Sequence, residues 1–172
     1  MMSGERIMDT TKRKMIEGWK RKADNNLDMA KNQLHVAHYS ESIQASQLCI
    51  ELSVKAVLSL LEINFPASHE WKPESKSFDQ IAAQIQERKL IEKLMPYNYI
   101  VRLPRLLFLL NFWAQFYLTA KYGYEKGYLA SAQDLFVIPE DAQLAIKHAE
   151  ECYYAANYLI NLNKDQLAKI TD

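Results

Sequence analysis

Residues 40–63, SESIQASQLCIELSVKAVLSLLEI, decide the fold. Ile43, Gln47, Ile50, Val54, Val57 and Leu61 recur at spacings of three and four and make one helical stripe. Ala45, Cys49, Leu52, Ala56 and Leu60 make a second. A helix apolar on two sides belongs in the middle of a bundle rather than on its outside. Neither glycine nor proline interrupts the run, and Glu51 precedes Lys55 by four residues, the order that favours an intrahelical ion pair. At a bundle centre that pair is read as a structural contact; the alternative is that the two side chains position a ligand.

The rest of the chain arranges itself around this segment. Upstream, Met15, Trp19, Ala23, Leu27, Ala30 and Leu34 fall on one face of a helix beginning near Thr11, and the short link to Ser40 predicts an antiparallel hairpin. Downstream, Pro66 and Pro73 mark residues 64–76 as a loop, and Phe78 to Leu90 reads as a short third helix. Pro104 suits the start of a fourth, running to Ala120. Tyr122 to Gln133 is a loop, and Pro139, Glu140 and Asp141 open a last helix that continues to about Asn163. The expected architecture is all-α, an antiparallel four- to five-helix bundle with a short extra helix and loops. Residues 1–10 form a loose lead-in, 11–165 the bundle and 166–172 a C-terminal tail.

Composition agrees with one helical domain. The 172 residues are 49% apolar, with only 4 glycines and 5 prolines, too few for the turns of an all-β fold. Lys+Arg and Asp+Glu are both 21, so a surface that wraps nucleic acid broadly is excluded and any such binding needs a local patch. Cys49 and Cys152 lie inside apolar helical segments, which suits buried thiols in a reducing cytoplasm better than disulfides. The charged N-terminus has no signal-peptide core. Leu103 to Leu118, the most apolar stretch, is broken by Pro104, Arg105, Asn111 and Gln115 and falls short of the roughly 20 apolar residues of a membrane span. No membrane association is expected.

The segment 40–63 resembles the second helix of HEPN domains, in which a helix rich in small residues carries Glu and, four residues later, Lys; Glu51, Lys55, Ala56 and Leu58 match that run. KADNNLDMAKNQLHVAHYSES resembles the preceding helix, with Tyr39 near the turn, and His69 stands where the family often has a His. AKYGYEKGYLASAQDLFVIPEDAQLAIKHAEE is similar to the closing segment, with Lys121, Tyr122 and Gly123 in place of the common Arg, Tyr and Pro. The resemblance covers roughly residues 12–163. It implies a helical bundle, often dimeric, whose relatives bind nucleotides, pair with a minimal nucleotidyltransferase or act as toxin ribonucleases.

HEPN ribonucleases use an Arg followed, after four to six residues, by a His. Arg steadies a phosphate while His moves the proton of a ribose 2′-OH. None of His35, His38, His69 and His148 has an Arg at that distance upstream. The nearest analogue is Arg105 with Asn111, and an amide is no general base, so no catalytic residue is expected and the protein reads as a non-catalytic binder of a nucleotide, RNA or a protein partner. A divergent ribonuclease and a purely structural module are the alternatives. His35, His38 and Glu41 have a spacing that admits a metal, but a solvated helix end is the preferred reading and neither metal nor cofactor is expected. Lys121, Tyr122, Tyr124, Lys126 and Tyr128 combine cations with stackable rings, which suits a base and its phosphate; equally, the tyrosines pin the loop to the bundle. The candidate ligand residues are therefore Lys121, Tyr122, Tyr124, Lys126, His69, Arg105 and Asn111. Because apolar side chains surround residues 103–118, a homodimer anchored by Trp113 or Phe116 is expected.

Overall fold

In the computed structural model, which describes residues 10–66, 71 and 75–172, two long helices open the chain: α1, Thr10–His35, and α2, Tyr39–Leu60. The two-sided stripe of the sequence has the expected consequence. Ile43, Ile50, Val54, Ala56, Val57 and Leu58 are fully buried, and α2 is covered by α1 on one side and by the last long helix, α8, Pro139–Ile160, on another. Small residues let these helices approach closely. Ser42 Oγ donates to the Ala30 carbonyl of α1 at 2.8 Å, and Ala142, Ala145, Ala149, Ala155 and Ala156 form the buried side of α8. By length and composition α2 could cross a membrane, yet 83% of its most apolar window is buried inside the bundle. It is a core helix.

The remaining helices close the bundle. Helix α3, Lys76–Glu87, starts at an N-cap in which Ser75 Oγ accepts from the Phe78 N–H, and α4, Leu90–Lys93, follows. Arg88 between them fastens several chain ends: its guanidinium donates to the carbonyls of Leu61 (2.8 Å), Glu62 (3.1 Å) and Thr171 (2.9 Å). Pro104 lies in the first turn of α5, Leu103–Ala114, where its missing N–H costs no helical bond. The single helix expected from Pro104 to Ala120 is broken. The Phe116 N–H bonds three residues back to Trp113, the Gln115 side chain donates to the Asn111 carbonyl, and the chain restarts as α6, Tyr117–Tyr122. A side chain donating into the backbone ladder is a known cause of such a break. The short α7, Ala132–Leu135, precedes α8.

Three details of the sequence reading change. At the start of α1 the buried residue is Ile16, while Met15 is 43% exposed. The supposed C-terminal tail is a helix, α9, Lys164–Thr171, opened by a reciprocal capping box between Asn163 and Gln166 and held by buried Leu167 and Ile170. Of the N-terminal lead-in, residues 1–9 lie outside the described residues and Thr10 already belongs to α1.

At the bundle centre Lys55 Nζ meets Glu51 Oε1 at 2.7 Å, with side chains only 9% and 5% exposed. Gln47 Nε2 donates to the other carboxylate oxygen at 3.3 Å, and Lys55 Nζ lies 5.8 Å from the centroid of the buried Trp71 ring. Removing the anion from a buried cation costs about 3–5 kcal/mol, whereas replacing both charges by apolar groups costs far less. Glu51→Gln is therefore expected to lower the unfolding free energy by about 3 kcal/mol, and adding Lys55→Met to restore part of the loss. Urea denaturation of the single and double variants measures both.

Candidate nucleic-acid interface

The loop expected over 122–133 is shorter than that: Lys121 and Tyr122 end α6, α7 begins at Ala132, and residues 123–131 between them form a closed turn rather than a loose one. The Tyr124 N–H donates to the Ala130 carbonyl at 3.0 Å, and the N–H groups of Gly127 and Tyr128 bond back to Tyr124 and Glu125. Gly123, at φ +83°, is the hinge. A Cβ there would sit 2.3 Å from the Ala130 carbonyl oxygen, so only glycine lets the two strands of the loop meet. Glu125 and Lys126 also hold left-handed backbone, at φ 48° and 55°. Two successive residues of this kind store strain that the surrounding loop must offset. On the bundle side, Gln44 Nε2 of α2 fastens the Ala120 carbonyl at 2.9 Å.

This frame holds aromatic rings in the open. Tyr122 is 56% exposed, Tyr124 53% and Tyr128 91%. The reading in which the tyrosines serve to pin the loop does not fit that exposure, because backbone bonds and Gly123 already close it. Lys121 Nζ lies 5.1 Å from the Tyr122 ring centroid and 5.6 Å from that of Tyr117. Hydrogen bonding to Tyr122 and the charge fields of Tyr117 and Tyr122 hold its ammonium above the usual lysine range. Lys121 and Tyr122 at the end of α6 and Tyr124 and Lys126 in the turn that follows thus lie close along the chain. His69, the other candidate from the sequence, lies outside the described residues.

Arg105 and Asn111 do not form a ligand pair. Arg105 turns to α8 and grips Glu151 with two parallel bonds, Nε to Oε1 at 2.5 Å and Nη2 to Oε2 at 2.9 Å. Asn111 instead lines a groove between α3 and α5, with its Oδ1 sealed and without a hydrogen-bond partner. Spacing along the sequence could not show this, because Glu151 is 46 residues from Arg105.

Folding does bring an arginine near a histidine, and both are engaged by other side chains. His148, one turn before Glu151 on α8, accepts the Trp113 indole N–H on Nδ1 at 3.0 Å. Indole is a donor only, so Nδ1 is unprotonated and the imidazole proton sits on Nε2. Neither ring nitrogen is then free to take a proton from a ribose hydroxyl, and Glu151 already neutralises Arg105. This bond also corrects the expectation for Trp113: it is 4% exposed and covered within the chain, so it presents no face to a second protomer. Phe116 is half-buried against Trp113 and Phe112. At the α1–α2 turn, His38 Nδ1 lies 3.0 Å from Gln33 Oε1 and Glu41 accepts from Ser40 at 2.7 Å. Among the described residues no group of three His, Cys, Asp or Glu is placed to hold a metal. Burial pushes the Cys49 thiol up to about 12 and the Cys152 thiol well above its ordinary range, so both are inert packing groups.

A bundle centred on a small-residue helix with a buried Glu–Lys pair, closed by an alanine-rich last helix after a tyrosine loop, defines a class of all-α domains. The HEPN domain profile matches residues 16–159, and the chain belongs to that family. Neither a search of curated proteins nor one of solved structures gives a match.

The His148 contact has a pH signature. Burial, then the positive charges of Arg105 and Lys147, hold its pKa below 6.5, against an opposing pull from Glu151. A histidine depressed in the folded state is neutral there while the unfolded chain takes up a proton, so its contribution is complete above pH 6.5 and is lost as pH falls through the lower folded value. His148→Gln keeps an acceptor for Trp113 but cannot titrate. Thermal melts between pH 7.5 and 5 are expected to show a smaller acid-side loss of stability in the variant than in the wild type.

Proposed function

We propose that this HEPN protein is a non-catalytic binder of single-stranded RNA, using the loop 121–130 as a stacking platform. The observation that carries the reading is the exposure of Tyr122, Tyr124 and Tyr128 on a backbone-closed loop beside Lys121. Every nucleobase has a face that stacks on a phenol ring, and an ammonium a few ångströms away meets the adjoining phosphate. A zero formal charge fits a patch that binds a few nucleotides rather than a duplex. The non-catalytic part rests on Arg105 being held by Glu151 and His148 by Trp113.

Fluorescence anisotropy with a labelled oligouridylate tests this. The expected result is saturable binding that weakens with salt, with the oligonucleotide intact after prolonged incubation. Tyr122→Ala combined with Tyr128→Ala should weaken binding by at least about tenfold, since each stacked base contributes about 1–3 kcal/mol. Wild-type affinity in that double variant would remove the loop from the account, and cleavage lost in His148→Gln would replace it with an enzyme.

A two-fold homodimer belongs to the same proposal. With Trp113 sealed, the apolar surface near the end of the α5–α6 segment is Leu118, 62% exposed, next to half-buried Phe116. Light scattering is expected to give about twice the 20.0 kDa of one chain, and Leu118→Asp to reduce it to one. A wild-type mass of one chain would contradict this.

A further inference from the structure

On the other side of α5 lies a groove of about 670 Å³, walled by α3 and α4 as well as α5. That volume is within the range of small-molecule sites, roughly 300–1,000 Å³. Its walls are mostly apolar: Phe78, Ile85, Ile91, Leu107, Phe108 and Phe112 contribute to them. Phe108 and Phe112 stack at 6.0 Å between centroids with 26° between planes, and Phe108 is still 59% exposed. The bundle has thus left a pair of parallel rings at the mouth of an unfilled cleft.

The polar groups of the groove say what fits it. Asn111 is 8% exposed, and its buried Oδ1 has no hydrogen-bond partner. An unmatched amide next to an apolar wall costs stability, and leucine in its place would avoid that cost. Asn111 lines the groove together with Gln86 and Gln115, so its side chain has only to rotate to offer a partner to a ligand there. Among the described residues of the lining the charged one is Glu92, and none is a lysine, arginine or histidine. A phosphate or carboxylate would meet the Glu92 carboxylate and, among the described lining residues, no cation to offset it.

We propose that the groove between α3, α4 and α5 binds a neutral or cationic apolar small molecule carrying an aromatic ring against Phe108 and Phe112 and a hydrogen-bonding group at Asn111. This site is separate from the tyrosine loop and stands whether or not the loop binds RNA. The ring buries apolar area against the phenylalanines, and the hydrogen-bonding group satisfies the amide that the fold leaves unmatched. Glu92 adds a preference for positive over negative charge.

N-phenyl-1-naphthylamine, a neutral aromatic amine whose fluorescence rises in apolar surroundings, is the probe. Titration into the full chain is expected to give one saturable site per chain in the micromolar range. Ala82→Trp, at an exposed position of α3 that lines the groove, should fill the cleft and weaken binding by more than about tenfold. Asn111→Leu should weaken it by about five- to tenfold, the value of one hydrogen bond, while raising Tm by about 2–4 °C. The sulfonated analogue 8-anilinonaphthalene-1-sulfonate should bind more weakly than the neutral probe, and Glu92→Gln should narrow that difference. No saturable binding, or binding unchanged by both Ala82→Trp and Asn111→Leu, overturns the proposal. A fall in Tm for Asn111→Leu does so too, because Asn111 would then be a structural residue. Binding that disappears as protein concentration rises would show the groove to be covered by a second copy, and likewise overturns it.

Discussion

At the centre of the bundle, on the helix against which the other long helices α1 and α8 pack, lies an ion pair kept almost wholly from water. Lys55 and Glu51 meet at 2.7 Å on a helix whose other central side chains are apolar or small. Charges taken out of water are tolerated only when every neighbour holds them in register. Gln47 supplies a donor to the carboxylate, and Trp71 closes over the ammonium. The aromatic contacts from Trp71 to Phe65 and from Phe65 to Trp19 carry this closure out to α1. Because Gln47, Glu51 and Lys55 all lie on α2, the pair is internal to that helix. Its seating against the neighbours comes from other contacts: Ser42 Oγ on the Ala30 carbonyl of α1 and Cys49 Sγ on the Ala149 carbonyl of α8.

Most of this frame was legible because helical periodicity is a local property. The stripes on α2 and α8 could be counted directly, and Pro139, Glu140 and Asp141 marked the start of α8. The Glu51–Lys55 spacing also revealed its own contact. Helix α9 also carries a local signal, which the expected C-terminal tail leaves unused: Asn163 and Gln166 form the capping box, and Leu167 and Ile170 lie three apart. The break at Phe116 is harder to read, since no proline or glycine marks it and the contact beside it is one side-chain amide on the Asn111 carbonyl.

The candidate sites divide along the same line. That Tyr122, Tyr124 and Tyr128 lie close to Lys121 could be read from sequence because they are near neighbours along the chain. The state of Arg105, His148 and Trp113 could not, because it is decided by contacts between α5 and α8. Periodicity showed that residues 103–118 are apolar nearly all round; it could not show that the indole of Trp113 faces inward to His148 while Phe108 faces water. Asn111 is instructive in the same way. As a lone polar residue in an apolar run it invited a role beside Arg105, and folding put the two on different faces of one helix. Two surfaces stay open in the fold, the tyrosines beside Lys121 and the apolar groove that Glu92 lines, and their charges differ in sign.

The most direct test of the central claim, that nucleic acid meets this bundle at its loop and not at the locked Arg–His face, is photocross-linking. An oligoribonucleotide carrying 4-thiouridine would be irradiated with the intact chain and the adducts mapped by peptide mass spectrometry. Adducts at Tyr122, Tyr124 or Tyr128 are the predicted result. Adducts confined to the peptides holding Arg105 and His148 would contradict the account.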